Sequence, residues 1–375
     1  MDLTLLIISY GVIGIFFCVQ IVSLFALFYY NNEDFETHDE LPLVSILLAA
    51  RNESSTIERC LLALSKLDYP TNKIEVLIGN DASSDNTQQI AEQFIVGLLN
   101  FKVYPIHNTL GKALGKANVL AQLAHKAKGD YFFITDCDVA VPRGWIKSLL
   151  GSFKTDVGIV SGTTLCYGHS INAILQRLDW LHFMGYIKSF ANLGISCTSV
   201  GNNMAVRAKA YWQTGGYENM DFSITEDYKL FKEVTLRGWQ WRNTLSPDSL
   251  GLATPISSLS EFMHQRKRWL MGARELPLLW KTMLIIYGLF FPSIILLAFF
   301  EPKLALIICL AKLLIQSLFI LSLHLKLQRH MKYWLFILPI YEIYLYTITL
   351  CTAIFYLLPI PSVWKERTYN LTGIK

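Results

Sequence analysis

Four short segments of this 375-residue chain are made of residue types that handle phosphates, metal ions or protons. The first, Asn80 to Thr87, reads Asn-Asp-Ala-Ser-Ser-Asp-Asn-Thr. The second, Asp136-Cys137-Asp138, places two carboxylates two residues apart, on one side of an extended chain. Such a pair offers hard oxygens to Mg²⁺ or Mn²⁺, ions that bridge phosphate oxygens. The third, Thr225-Glu226-Asp227, opens a helical stretch that runs to Arg237 and is closed by Gly238. A helix N-terminus favours the ionised form of Asp227, ready to accept a proton from a hydroxyl. The fourth is Gln265-Arg266-Lys267-Arg268-Trp269. Ser258 and Glu261 before it have capping-box spacing, so it reads as a helix with Gln265 and Trp269 on one face and Arg268 beside them, able to reach a diphosphate. Each segment also has a plainer reading. Ser84 or Asp85 can cap the next helix, Asp136 and Asp138 can be a solvated strand exit, Thr225 is a good N-cap, and a basic amphipathic helix can lie on a membrane surface.

The elements around these segments decide between the readings. Short apolar runs alternate with helical stretches between residues 41 and 282, as in an α/β domain. Leu43 to Ala49, Ile74 to Ile78, Phe101 to Tyr104 and Tyr131 to Thr135 are strands, and Glu58 to Leu67 and Asn118 to Lys128 are helices. The strands are continuously apolar, the pattern of a parallel sheet covered on both faces. In such sheets ligands bind beyond the carboxyl ends of the strands. Ala50-Arg51-Asn52-Glu53, the Asn80 turn and Asp136-Cys137-Asp138 all follow strand ends. No Gly-x-Gly-x-x-Gly follows any strand and no Walker lysine pattern is present, so the phosphate turn of a dinucleotide-binding domain is missing.

Charged residues make up 17% of the chain against 53% hydrophobic, well below the roughly 25% charged of a soluble domain, which excludes disorder, collagen and coiled coil. Leu3 to Tyr30 carries no charge, is longer than the roughly 20 residues a span needs, and is too long for a signal peptide. It reads as a permanent anchor. Met283 to Phe300, Leu304 to Leu325 and Trp334 to Leu358 are three further runs. The segment from Asn31 to Lys281 balances 25 basic against 25 acidic residues, while beyond Thr282 there are 8 basic and 3 acidic. The surplus sits where membrane headgroups would meet it, and nothing resembles the basic stripe of a nucleic-acid binder. Lys326, Arg329 and Lys332 mark the loop between the last two runs as cytoplasmic, which places the 31–282 region there too. Lys365 and Arg367 then fall outside if all three C-terminal runs cross fully. Either one run is re-entrant or the tail breaks the rule. Lys312 and Glu342, inside apolar runs, are expected to pair between adjacent helices. Cys18, Cys60, Cys137, Cys166, Cys197, Cys309 and Cys351 show no Cys-x-x-Cys spacing, against a zinc site or a disulfide framework and in keeping with a reducing cytoplasm.

The four motifs, in this order, resemble the membrane-embedded family 2 inverting glycosyltransferases, a group that includes cellulose, hyaluronan and poly-N-acetylglucosamine synthases and ceramide glucosyltransferases. The resemblance covers Val44 to Trp269, with the anchor and C-terminal spans arranged as in that group. It implies an α/β fold, a GT-A nucleotide-sugar-binding domain with a mostly parallel sheet, plus one N-terminal and about three C-terminal transmembrane helices. It implies that Asp81 contacts the uracil of a UDP-sugar, where the family often has two acids and this chain has Asn80 first. It implies that Glu53 lies at the nucleoside end, that Gly115-Lys116-Ala117 is the family's Gly-Lys turn, that Asp138 ligates the metal and that Asp136 lies nearer ribose and sugar. Gly201-Asn202-Asn203, Gly215-Gly216-Tyr217 and Glu226 then line the acceptor side, Asp227 is the catalytic base, and Gln265, Arg268 and Trp269 hold the diphosphate and roof the acceptor.

The implied reaction moves a sugar, with inversion, from a nucleotide-diphospho-sugar bound with Mg²⁺ or Mn²⁺ to a hydroxyl of a lipid, lipid-linked or polysaccharide acceptor. A processive polysaccharide synthase subunit and an inactive membrane scaffold of the same fold are the alternatives. The helix Ile171 to Phe190, with Trp180, Phe183 and Tyr186, reads either as an acceptor-side interface helix or as ordinary core. The expected organisation is an anchor at 1–30, a cytoplasmic GT-A domain at 31–257, interface helices at 258–282, transmembrane helices at 283–358 and a tail at 359–375. The expected partners are the donor, the acceptor and membrane lipids, with no nucleic acid. The expected location is a bacterial inner (cell) membrane with the catalytic domain in the cytoplasm.

Overall fold

The computed structural model describes residues 3–29, 40–196, 198–329, 332–370 and 373–374. The expected junction of anchor and domain at residues 30–31, and Cys197, lie outside the described residues. The described chain forms two compact units: residues 3–29, 175–196 and 265–360 in one, and residues 40–174, 198–264 and the C-terminal segment from Pro361 in the other.

The second unit is the α/β domain. Its first half alternates strand and helix: β1 (Val44–Ala50), α2 (Ile57–Leu64), β2 (Ile74–Asn80), α3 (Thr87–Phe94), β3 (Phe101–Pro105), α4 (Lys116–Ala124) and β4 (Tyr131–Asp136), following α1 (Leu3–Tyr29) of the other unit. Then come β5 (Val139–Ala140), α5 (Trp145–Leu150), β6 (Val157–Ser161), β7 (Thr163–Cys166), α6 (Ile171–Asn192), β8 (Asn203–Arg207), α7 (Ala208–Gln213), α8 (Glu226–Leu236), β9 (Gln240–Asn243), β10 (Leu250–Ala253) and α9 (Leu259–Gly272). Seven strands form one sheet in the order β3-β2-β1-β4-β8-β6-β9. β1, β2, β3 and β4 pair in parallel, and only β8 runs against its neighbours. The mostly parallel sheet is therefore as expected, and its strands are buried almost throughout because helices cover both faces. Val44, Ile46 and Leu48 pack with Ile57 and Leu61 of α2 and with Phe133 and Trp145. On β2, Gly79 lets α4 come close, since a Cβ there would meet Val119 Cγ1 at 2.3 Å. β5, β10 and β7 make a small second sheet that carries the chain away from the end of β4.

The other unit contains α1, most of α6, the C-terminal half of α9, α10 (Leu278–Phe300), α11 (Pro302–Lys326) and α12 (Trp334–Leu357). Four of these, α1, α10, α11 and α12, are long and apolar enough to cross a membrane, matching the four runs read from the sequence. Phe16 of α1 packs at a tilt on Phe290 of α10 at 4.1 Å between centroids, inside a cluster with Ile13, Ile294, Leu297 and Ala305. Lys312 of α11 and Glu342 of α12 form the expected ion pair, and Gln316 Nε2 donates to Glu342 Oε2 at 2.8 Å. A charge in an apolar span persists where such partners satisfy it.

The C-terminal segment belongs to the domain. β11 (Ser362–Trp364), β12 (Arg367–Asn370) and β13 (Gly373–Ile374) form a three-stranded antiparallel sheet within the second unit. The chain leaves that unit after His264 and rejoins it at Pro361.

Candidate active site

The carboxyl ends of β1, β2 and β4 gather the acids that the sequence singled out. After β1 the chain turns at Asn52, whose φ of +50° is a conformation that asparagine tolerates. Asn52 Oδ1 accepts from Ser84 N–H at 2.8 Å, and Glu53 N–H donates to Thr87 Oγ1 at 2.7 Å, locking this turn to the one after β2. Asp85 completes the lock by accepting from Ser54 N–H at 3.0 Å and Thr87 N–H at 2.9 Å. Partial burial works against its ionisation, but these hydrogen bonds win and hold its carboxyl down at about 2. Asp85 is thus spent on joining the two turns; the N-cap position of α3 is Asn86, not the expected Ser84 or Asp85, and no side-chain cap hydrogen bond forms there. Asn80 is buried, with Nδ2 donating to Gln88 at 2.8 Å and Oδ1 accepting from Ser83 at 2.6 Å, so its amide is spent inside the turn. Asp81 stands beyond it, only 8% exposed.

At the end of β4 the carboxylate of Asp136 meets Lys116 Nζ at 2.5 Å, and Lys116 also reaches Glu226 at 3.1 Å. Lys116 sits in the first turn of α4, just after Gly115, which enters the helix at φ +56°. Burial alone would lower its pKa, but Asp136 and Glu226 outweigh that and hold the ammonium charged. Asp138 lies in the turn after β4. Burial, with Asp136 and Glu53 beside it, pushes its carboxyl up to about 7. Cys137 between the two acids is buried, donates to Ala49 O at 3.4 Å, and is kept protonated by burial.

Asp227 opens α8. Its Oδ2 accepts from Gly201 N–H at 2.8 Å and its Oδ1 from Tyr228 N–H at 2.7 Å. Burial and the adjacent Glu226 push its carboxyl up to about 6, against the pull of Lys116. Thr225 occupies the N-cap position, yet its side chain makes no cap hydrogen bond; the first-turn acids carry the helix start instead. Sequence reasoning thus brought Glu53, Asp81, Lys116, Asp136, Asp138, Glu226 and Asp227 to one domain.

The two asparagines of Gly201-Asn202-Asn203 part company. Asn203, expected on the acceptor side, is fully buried in β8. Its Oδ1 accepts from Trp145 Nε1 at 2.8 Å, and its Nδ2 donates to the carbonyls of Thr163 and Ser249, both at 2.8 Å. Its amide ties the two sheets together and has no group left for a substrate. Asn202 Oδ1, in contrast, is buried without a partner among the described residues. Gln265, Arg268 and Trp269 lie on α9 in the other unit. There Trp269 packs edge-on against Trp180 of α6 at 5.5 Å between centroids, beneath the Arg266 guanidinium, which pairs with Asp179. Tyr186 of α6 packs on Phe319, while Phe183 is exposed.

Two contributions escaped the sequence. Arg59 of α2 donates to the Asp138 carbonyl, to Leu252 O at 3.0 Å and to Thr254 Oγ1 at 3.0 Å, fixing the turn that carries Asp138. An arginine in a helix gives no local sign of that role. The second is the C-terminal hairpin, whose Arg367 grips Asp81 with both terminal nitrogens.

Comparison with known proteins fits this geometry. Among curated relatives, the poly-β-1,6-N-acetyl-D-glucosamine synthase of Staphylococcus aureus (strain COL) is 30% identical over 247 residues, 63% of this chain and 56% of the relative. That of Staphylococcus epidermidis is 27% identical over 266 residues, 68% of this chain and 62% of the relative. The chain therefore spans less than two thirds of the length of either. Among solved structures, the mannosyltransferase PcManGT from Pyrobaculum calidifontis, in complex with GDP-Man and Mn²⁺, superposes with a TM-score of 0.60 at 17% identity, over 94% of this chain and 99% of that one. At that identity the likeness speaks for the fold, a GT-A-like domain. The resemblance read from the four motifs is borne out, and with residues 9–371 of the chain matching the family model, the chain belongs to glycosyl transferase family 21.

Proposed function

We propose that the protein is an inverting glycosyltransferase that moves a sugar from a nucleotide-diphospho-sugar to a hydroxyl of a lipid or glycan acceptor at a membrane, with Asp227 as the base. One observation carries this reading above the others. The Asp227 carboxylate is oriented by two backbone N–H groups, is raised to about 6, and stands at the mouth of a parallel sheet beside Lys116 and Glu226. A general base works best with a pKa near the operating pH and a fixed direction of attack. Both backbone bonds fix that direction before the acceptor arrives.

The remaining residues take roles that follow from their chemistry. Asp81 accepts an N–H of the nucleobase, an edge that uracil presents and guanine presents as well, and Glu53 closes the nucleoside end. Lys116 pairs with Asp136 near ribose and sugar, and Asn202 turns its oxygen, which has no partner among the described residues, to an acceptor hydroxyl. Glu226, paired with Lys116, takes the acceptor side as well, and Gln265, Arg268 and Trp269 keep the diphosphate and acceptor roles that their motif implies. Asp138 accepts no hydrogen bond through its carboxylate from the described residues and is crowded by two other carboxylates, a setting that Mg²⁺ or Mn²⁺ fits. Among the described residues no three His, Cys, Asp or Glu groups converge on one point, so the donor diphosphate would supply most of the oxygens. Bound there, the cation would withdraw negative charge from the departing diphosphate. Asp227 takes the hydroxyl proton while the acceptor oxygen attacks the anomeric carbon opposite the diphosphate, so the configuration inverts. With the catalytic domain in the cytoplasm of a bacterial cell, the donor comes from the soluble pool and the acceptor from the inner membrane.

A second reading, a subunit that extends a polysaccharide, is favoured by the names of the curated relatives. Nucleoside diphosphate release is the deciding assay: purified full-length protein, a panel of UDP- and GDP-sugars, Mn²⁺ or Mg²⁺, and Asp227→Asn as control. We expect metal-dependent turnover of one sugar, lost in the variant, with the product's anomeric configuration opposite to the donor's by NMR. Retention of configuration, or full activity in Asp227→Asn, would overturn the assignment. A single transferred sugar supports the first reading and a ladder of products the second.

A further inference from the structure

The C-terminal hairpin does more than rest on the domain; it occupies the nucleoside end of the site. Its turn is Lys365-Glu366, and both residues have positive φ, +47° and +65°. A two-residue hairpin turn of this hand normally calls for Asn and Gly. A lysine and a glutamate there are held against a conformational cost, and such strain persists only where surrounding contacts over-determine it.

The first strand is anchored on His264, where Ser362 Oγ donates to the carbonyl and Val363 N–H to Nδ1, both at 3.2 Å, while the contacts of the turn go to the candidate site and its flank. Lys365 Nζ donates to Asn52 O at 2.6 Å and pairs with Glu53 at 3.1 Å, while Lys365 O accepts from Arg51 Nε at 3.1 Å. Glu366 accepts from Ser84 Oγ at 3.2 Å. Arg367 places two guanidinium nitrogens on the two carboxylate oxygens of Asp81, the second at 2.9 Å. Farther along, Ile374 and Tyr369 lie over the Gly115 turn, where a Cβ on Gly115 would meet Ile374 Cδ1 at 2.7 Å and Tyr369 Oη at 3.4 Å. The hairpin thus touches Asn52, Glu53, Asp81, Ser84 and Gly115, from the strand ends to the Gly-Lys turn.

We propose that this hairpin is a strap across the nucleoside pocket, in which Arg367 holds the place on Asp81 that a nucleobase N–H takes, so that the donor nucleotide must displace it. The inference rests on the assignment of Asp81 to the nucleobase. A carboxylate whose two oxygens are both engaged by one guanidinium has its best acceptor directions filled, so base and Arg367 compete. Displacement is chemically balanced, because Lys365 and Arg367 are freed beside an incoming diphosphate that carries the opposite charge. The strap also reads the nucleotide: a ligand without a base N–H has nothing to offer Asp81 in exchange for the guanidinium.

The test is the affinity of UDP and of GDP, each with Mn²⁺, for the full-length protein and for Arg367→Gln and Asp81→Ala, together with hydrogen exchange of residues 362–370 with and without the nucleotide. We expect Arg367→Gln to bind the nucleotide roughly three- to tenfold more tightly, the worth of a partly exposed ion pair no longer broken on binding. We expect Asp81→Ala to bind it more weakly, and the hairpin amides of the unaltered protein to exchange faster when nucleotide is bound. Unchanged or weaker binding by Arg367→Gln, or slower exchange of the hairpin with nucleotide, would overturn the strap and make Arg367 a ligand or a bystander. If Asp81→Ala binds as well as the unaltered protein, the nucleobase assignment itself falls. The exchange measurement keeps the test decisive even if a variant fails to fold.

Discussion

Substituting Gly201 by alanine tests whether the position of Asp227, rather than its mere presence, drives the reaction. Gly201 donates its N–H to Asp227 Oδ2 at 2.8 Å, and a Cβ on it would lie 2.8 Å from Asp227 Cβ and 3.0 Å from Oδ2. Carbon atoms in contact prefer about 3.6 Å, so the aspartate must retreat by roughly 0.8 Å or rotate off its backbone donors. A misplacement of about 1 Å in a reacting group costs on the order of 10²-fold in rate, or about 2.7 kcal/mol of transition-state stabilisation. Nothing in the change touches Asp81, Glu53 or Asp138. We therefore expect kcat for sugar transfer to fall roughly thirty- to hundredfold, while the dissociation constant of the nucleoside diphosphate stays within about twofold. The assay is single-turnover transfer in detergent alongside calorimetric titration of the nucleotide, with thermal unfolding to show that the variant is folded. A kcat within about threefold of the unaltered protein would refute the reasoning, since it would mean that Asp227 need not be held where Gly201 holds it. An equal loss of nucleotide affinity would refute it differently, by showing that the Gly201 turn shapes the donor site.

The acid limb of the pH–rate profile is a second expectation. Asp227 acts in its ionised form and its pKa is raised to about 6, so kcat/KM should climb about tenfold per pH unit below 6 and level off above it, with no such limb in the residual activity of Asp227→Asn. Lys116→Gln leaves Asp136 and Glu226 without their shared cation. With Asp136 about one-third exposed, the loss should fall near 2 kcal/mol, between the values for buried and surface pairs, read as a lower unfolding temperature. In the helical unit, Lys312→Gln and Glu342→Gln should each destabilise, and the double substitution should cost no more than either alone. Additive losses would show that the ion pair carries no coupling.

Local features were readable from the sequence because their causes are local. Continuous apolar runs such as Tyr131 to Ile134 predict buried parallel strands, since only a sheet covered on both faces tolerates them. Strand ends then locate Glu53, Asp81, Asp136 and Asp138, and a helix start locates Asp227. Uncharged runs of about 20 residues predict the four long helices, and charge inside an apolar run predicts a partner, found as the Lys312–Glu342 pair.

Tertiary structure alone decided which polar residues are spent on the fold. Asn202 and Asn203 are adjacent and identical, yet β8 turns one amide into the core, where three hydrogen bonds consume it, and leaves the other's oxygen without a partner among the described residues. Arg59 reaches the Asp138 turn only because α2 packs over the end of β4. That the C-terminal hairpin folds into the α/β unit was not legible in its own residues, because nothing local to them names a partner. It was decided by contacts such as Arg367 with Asp81, 286 residues apart. No periodicity or spacing encodes a pairing of that range. It exists only when β2 and the C-terminal hairpin have folded against each other, where the desolvated carboxylate of Asp81 makes a bidentate guanidinium the favoured partner.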